Sequence, residues 1–400
     1  MQITTFGSDS PPFIQRNPPS TPPPSPVQDS ISQANQNPSI YPAASILPGS
    51  LAIEEDAHIP LFDLDDIENA PTEIRKELIK QFGDGLKDIG FIAIKAPSLS
   101  AIIKDVTKSM KTYFALPLEE KMKDWNSDNS KGFSEQGRET AAGATHADRK
   151  ETFFVPPHFK KWPQTPPEFG QVMERYHTEL TNLAIKVMRY VAEYLEEPTE
   201  NVSETIDTAY NLLRLAYYPA PKSEDHPDSV WANAHEDLNA LTLLPPTKVP
   251  GLQLFTKDER WLSVTAPEGS LILNTGLQLE RLTAGLIKAT LHRVQNPGGK
   301  YTYQARHSSI FFASWAPEKS LAPLKKCVEK ITENMSEEER TTYLLQYPDV
   351  TVQENLISRL IEMGTIPNPT REQVAELHQK GLLQRPPLHV VEEFSDLFNS

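Results

Sequence analysis

The sequence predicts a mainly β core of sandwich or barrel type, with an α/β region before it and a helical extension after it. Three observations carry this. Between residues 241 and 315, short apolar strands recur at regular intervals between turn signals. From about 59 to 200, long runs with apolar residues at helical spacing are broken by short strands. After about residue 316, three capping boxes signal a return to helix.

The elements follow in order. Residues 1–55 are rich in proline (Pro11, Pro12, Pro18, Pro19, Pro22, Pro23, Pro24, Pro26), with Ser, Gln and Asn between. Such a stretch cannot bury enough apolar surface to offset its ordering entropy, so a disordered tail is expected. A ligand for a proline-recognising module is the second reading. Residues 56–200 form the amino-terminal helix and strand region. Pro71 opens a helix reaching about Ile89, with Ile74, Leu78, Phe82 and Leu86 at helical spacing, and Gly90 stops it. Phe91–Lys95 reads as a strand, Leu99–Leu116 as a helix, and Pro117 begins a short third helix. Lys131 to Lys150 is polar and Gly-rich, with Phe133 a candidate wall of a pocket. Glu151–Val155 is a strand, and Phe169–Glu197 a long amphipathic helix carrying Leu180, Val187 and Leu195 on its stripe.

Residues 201–316 form the β core. Asn211–Pro219 alternates as a strand, with Arg214, Ala216 and Tyr218 on one face. The strands Leu241–Leu244, Gly251–Phe255, Trp261–Thr265, Ser270–Asn274, Ala289–Val294 and Ala305–Trp315 follow. Turns fall at Pro245-Pro246, residues 257–259, 267–269 and 297–299. Residues 317–400 are a helical extension with capping boxes at Ser336/Glu339, Thr351/Glu354 and Thr370/Gln373. Packing on the barrel, covering the mouth of the site and mediating an oligomer are all open for it, and the oligomeric state is not readable.

Composition bounds the function. With 38% hydrophobic residues the chain can bury a sizeable core. A formal net charge of -15 argues against nucleic acid or an anionic membrane as the main partner. Cys327 is the only cysteine, so no intramolecular disulfide forms, which suits a reducing, cytoplasmic setting. No apolar run approaches the ~18 residues of a membrane span, and no signal or transit pattern is expected at the amino terminus.

Chemistry concentrates in Asn233–Leu244. His235 and Asp237 are two residues apart, so on extended chain they point to one side. Two other His-x-Asp triplets exist, His146/Asp148 and His226/Asp228, among 10 His in the chain. The first lies in a segment that reads as a surface loop, the second in a charged, proline-flanked loop. Only His235/Asp237 runs into a buried strand and is followed by a further His at a strand end, His292. Two imidazoles and one carboxylate leave positions open on an iron, the facial triad of non-haem Fe(II) oxygenases. Further on, Arg306 and Ser308 share one strand face, where a guanidinium fork and a hydroxyl suit a carboxylate.

These residues, in this order, resemble the isopenicillin N synthase-like, 2-oxoglutarate- and Fe(II)-dependent dioxygenases. The family pattern is His-x-Asp, then His in a His-Arg-Val context, then Arg-x-Ser, and the resemblance runs from about Ile59 to Trp315. It implies that the β core is a double-stranded β-helix, or jelly roll. It implies Fe(II) on His235, Asp237 and His292, and 2-oxoglutarate held by Arg306, Ser308 and Tyr218. Family members commonly carry Asn-x-Tyr where this chain has Ala216 and Tyr218. With O2, the implied reaction oxidises, and most simply hydroxylates, a small-molecule substrate, giving succinate and carbon dioxide. The rivals are a same-fold Fe(II) oxidase that closes a ring or desaturates without 2-oxoglutarate, and a non-catalytic jelly-roll binding protein.

Overall fold

The protein is described by a computed structural model covering residues 56–126, 131–137, 148–206, 209–222 and 230–398. The tail expected at 1–55, His146 and the His226/Asp228 triplet lie outside the described residues.

The chain begins with β1 (Asp56–Ala57), β2 (Leu61–Asp63), α1 (Leu64–Asn69) and α2 (Thr72–Asp88). Then come β3 (Phe91–Lys95), α3 (Ser100–Phe114), α4 (Leu118–Lys121), β4 (Gly132–Ser134) and β5 (Glu151–Val155). The long helix α5 (Phe169–Leu195) and the short α6 (Thr199–Ser203) close this part. The β-rich part runs β6 (Leu212–Tyr218), β7 (Ala232–His235), β8 (Leu241–Leu244), β9 (Leu252–Phe255), β10 (Trp261–Val264) and β11 (Ser270–Thr275). It ends with α7 (Leu277–Leu282), β12 (His292–Val294) and β13 (Arg306–Ala313). The described chain finishes with α8 (Lys325–Ile331), α9 (Glu337–Leu344), α10 (Val352–Glu362), α11 (Arg371–Gln379), α12 (Leu388–Glu393) and α13 (Ser395–Phe398).

Among the described residues these strands make two sheets. The larger has the order β2-β3-β11-β8-β13-β6-β5-β4, the smaller β1-β10-β9-β12-β7. Period-2 alternation assigns the two faces of the larger sheet. On β6, β8, β11 and β13 the odd-numbered side chains (Leu213, Leu215, Leu243, Leu273, Phe311) join Phe82, Val106 and Leu180 of the helices in one cluster. Even-numbered ones (Ala216, Tyr218, Leu244, Ile272, Ile310) join Leu252, Leu254 and Val294 of the smaller sheet in another. The larger sheet is therefore covered on both faces, which is why every residue of β8 and β11 is buried. The result is a jelly-roll core flanked by helices. The amino-terminal region lends β2 to β5 to the larger sheet.

Several expectations shift. Ile74, at the start of the apolar stripe of α2, is 55% exposed, while Phe82 and Leu86 of that stripe are buried as expected. Phe133 is no pocket wall; it is fully buried in the helix-side cluster, edge-on to Tyr113. Asp148, at the end of a segment read as a surface loop, is buried, as are Arg149 and Lys150 after it. Helices α1 and α7 have no counterpart among the expected elements. The three capping boxes are present as expected, each with its reciprocal side-chain bonds. The carboxy-terminal helices pack on the core: Val352, Ile361, Val374 and Val390 join the helix-side cluster. Leu324 N donates to Leu282 O at 2.9 Å, and the Tyr343 hydroxyl to Ala284 O at 2.8 Å.

Gly90 joins α2 to β3 with φ +73, and a Cβ there would come within 1.9 Å of Thr290 Oγ1. Gly90→Ala thus combines a left-handed alanine with a collision against the residue two before His292. We expect it to cost about 2 kcal/mol or more, seen as a lower urea midpoint at an unchanged slope.

Candidate active site

The site is assembled by strand register. β7 and β12 are antiparallel neighbours, and His235 sits directly opposite His292. Their rings lie 4.5 Å apart between centroids. Asp237, just past the end of β7, brings Oδ1 to 3.7 Å from each Nε2. One ligand atom from each of the three residues lies within 4.8 Å of the others. The spacing of the sequence singles out these three, and the fold brings all of them together.

The other polar atom of each residue is already engaged. His235 Nδ1 is 2.7 Å from Asn233 O, and His292 Nδ1 is 2.9 Å from Thr290 O. A carbonyl only accepts, so each Nδ1 carries the proton and each Nε2 presents a lone pair. Asp237 Oδ2 accepts from the Thr242 hydroxyl at 2.6 Å and from Asn274 Nδ2 at 2.8 Å, which leaves Oδ1 toward the imidazoles. Burial works to raise the Asp237 pKa. The two imidazoles and these hydrogen bonds outweigh it, and the carboxyl sits below its ordinary range. Burial, followed by the neighbouring His292, pushes His235 down to about 4, so it is neutral at pH 7. Two imidazole nitrogens and one carboxylate oxygen fit a divalent ion with open positions.

Two further supports are not legible in the sequence. Asp148 Oδ1 accepts from Asn233 N at 2.9 Å and from Asn233 Nδ2 at 2.7 Å, and its other oxygen takes Lys150 Nζ at 2.6 Å. This fixes the residue whose carbonyl orients His235. Gly276 packs against the loop after β7, where a Cβ would lie 2.2 Å from Asn239 O and 2.9 Å from Asp237 O. Thr242 and Asn274 do carry a signal: each is a polar residue inside an otherwise apolar strand. Asp148 and Gly276 carry none.

Arg306 and Ser308, the pair expected to meet a carboxylate, are on β13. Arg306 faces Tyr218 and Ser308 faces Ala216 across the β13/β6 pairing. Arg306 is 3% exposed and Ser308 2%. The guanidinium stacks over the Tyr218 ring at 5.1 Å. Its Nε and Nη1, and the Ser308 hydroxyl, have no hydrogen-bond partner among the described residues. Burial lowers the Arg306 pKa, and Tyr218 is the group that counters it. A desolvated cation and an unpaired hydroxyl side by side are a place prepared for a carboxylate. The triad, Arg306, Ser308 and Tyr218 line one pocket, together with Arg214, whose guanidinium lies 4.9 Å from the Phe312 ring centre.

The family profile described as the 2OG-Fe(II) oxygenase superfamily matches residues 209–314, which contain every one of these pocket residues. The amino-terminal profile of non-haem dioxygenases (morphine synthesis type) matches residues 59–173, and the two together span more than half of the chain. The chain belongs to the 2-oxoglutarate- and Fe(II)-dependent dioxygenases. The dioxygenase is 34% identical to "Probable flavonol synthase 5" of Arabidopsis thaliana over 169 residues, 42% of this chain and half of that relative's length. It is 28% identical to the 2-oxoglutarate-dependent dioxygenase thnC of Trichoderma harzianum, over 65% of this chain and 85% of that one. Its fold matches a full-length Neurospora crassa protein crystallised in complex with alpha-KG (25% identity, TM-score 0.66), covering 78% of this chain and 98% of the other.

Removing one support of Asp237 tests this geometry. Thr242→Val should leave the fold intact and weaken Fe(II) or Mn(II) binding about tenfold or more, measured by competition with a chelator of known affinity.

Proposed function

We propose that this dioxygenase holds Fe(II) on His235 Nε2, Asp237 Oδ1 and His292 Nε2, and holds 2-oxoglutarate by its distal carboxylate on Arg306 and Ser308. The reaction it then performs is the oxidation, in its simplest form hydroxylation, of a small organic substrate, with succinate and carbon dioxide as coproducts. The observation that carries this reading is the set of orphaned polar atoms. Two guanidinium nitrogens of Arg306 and the Ser308 hydroxyl are buried without a partner among the described residues. They lie on the pocket wall that also holds the triad.

When bound, the iron, the keto acid and O2 together supply the oxidant for an unactivated C–H bond. The protein's own residues do the rest. Thr290 and Asn233 carbonyls fix the tautomers of the two imidazoles, while Thr242 and Asn274 hold Asp237 with one oxygen free. Tyr218 lies beneath the Arg306 guanidinium and sets its direction. The apolar walls, Leu244, Leu252, Val294 and Ile310, keep water from the reacting centre. Arg214 and Phe312 form a mixed wall, which suits a flat or acceptor-bearing small molecule.

Ala216 faces Ser308 across the sheet. The missing Asn of the family pattern therefore leaves the Arg306, Ser308 and Tyr218 side chains in place. Among the described residues no helix is long and apolar enough to cross a membrane, and the single cysteine, Cys327, is buried and free. A cytoplasmic enzyme, held in the isopenicillin N synthase-like branch, is the setting we infer.

The test is succinate release from 2-oxoglutarate by the purified, iron-loaded chain. His235→Ala and Asp237→Ala should each abolish iron binding and turnover. Arg306→Ala should keep the iron and raise the KM for 2-oxoglutarate about 100-fold, the loss of charge-assisted hydrogen bonds. Iron retained after loss of Asp237 would place the metal elsewhere. Oxygen use without succinate would turn the reading to the oxidase that needs no keto acid.

A further inference from the structure

A second cavity, of about 220 Å3, adjoins the metal pocket. Leu244, Leu252 and Arg306 line both. The space immediately around the triad is far smaller, about 30 Å3. Most of the free volume against Arg306 therefore lies in the second cavity. Its rim is the turn from Pro245 to Pro250 on one side, and Ala266 and Tyr301 on the others. Three prolines in that turn (Pro245, Pro246, Pro250) restrict the backbone that frames it.

The charge of this cavity is one-sided. Its lining contains Lys248 and Arg306 and no Asp or Glu. Lys248 is exposed at the rim, and the Lys300 ammonium lies 5.0 Å from the centre of the Tyr301 ring. In a chain of net charge -15, a basic rim leading to a buried guanidinium with free donors is a local funnel for a small anion. The metal pocket has a different opening. Of the side chains around the metal, His235 is 28% exposed and His292 8%, so solvent reaches the triad at His235. A substrate seated against the triad covers that opening.

We propose that the second cavity is the passage by which a small dicarboxylate, 2-oxoglutarate inward and succinate outward, reaches and leaves Arg306, separately from the substrate's opening beside His235. The proposal rests on the assignment of Arg306 as the carboxylate anchor. Lys248 steers the anion at the rim, and Ala266 leaves the passage open because its side chain is one methyl. Exchange of the coproduct then does not wait for the oxidised substrate to depart.

A gate is told from a binding residue by rates. Ala266 is half-buried at the rim and packs against the inter-sheet cluster, so Ala266→Trp fills the passage, and Ala266→Ser is the size control. The ferrous, anaerobic full-length protein is mixed with 2-oxoglutarate in a stopped-flow instrument, read by the visible absorbance of the chelated keto acid. Kd is measured separately by calorimetry. In Ala266→Trp, association and dissociation should both slow by about tenfold, with Kd nearly unchanged, while Ala266→Ser behaves as the parent protein. Lys248→Glu should slow association alone and flatten its dependence on salt. Association at the parental rate in both Ala266→Trp and Lys248→Glu would overturn the passage and leave the Arg306 anchor standing. Failure of the parent protein to bind 2-oxoglutarate at all would overturn the anchor and the passage together.

Discussion

Asp237 carries a negative charge in a place only 5% exposed, and most of the site's architecture is arranged to make that tolerable. An isolated carboxylate there would cost several kcal/mol and would take up a proton instead. Thr242 and Asn274 satisfy one oxygen, and two imidazoles face the other. The two strands that supply those hydrogen bonds are neighbours in the larger sheet, where Thr242 pairs with Asn274. The two imidazoles come from neighbours in the smaller sheet. The carboxylate thus ties the inner faces of both sheets at one point, and its Oδ1 is the oxygen that Thr242 and Asn274 leave open.

A second buried charge follows the opposite logic. Arg306 lies between sheets, and among the described residues no carboxylate meets it. A buried, incompletely paired guanidinium lowers stability. It persists because β13 and β6 are held in register over seven residue pairs, and because the Tyr218 ring beneath it takes part of the load. Two of its nitrogens are left without a partner among the described residues, and the proposed carboxylate would regain the lost interaction. Pre-organisation of this kind would make the proposed anchor strong without movement on binding.

The two faces of the larger sheet divide the work. One face is apolar and buried under α2, α3 and α5, with Phe82, Val106 and Val187 among its partners. That face stiffens the strands. The other bears Arg214, Thr242, Asn274, Arg306 and Ser308 toward the pocket. A polar group on a strand is displayed accurately when the strand's other face cannot shift, since close-packed interiors deform little. The carboxy-terminal helices extend the same stiff layer over α7 rather than over the pocket, whose lining comes from residues 214 to 312.

The sequence by itself determined the type of the long strands and helices, the carboxy-terminal caps and the identity of the chemical groups, though not the helices α1 and α7. Period-2 spacing put His235 with Asp237, and Arg306 with Ser308, on common sides, and this holds for any extended chain. The Ser336, Thr351 and Thr370 caps were legible because they are local, closed within three residues. What tertiary structure decided was everything that depends on which strands are neighbours. That His292 lies opposite His235, that Thr242 and Asn274 rather than other polar residues hold Asp237, and that Asp148 reaches Asn233 are non-local contacts. So too is the extent of the buried face of α2, where no packing partner among the described residues reaches Ile74 in the first turn. A spacing rule describes one chain segment, and a register between segments is set only when two hydrophobic faces have closed on each other.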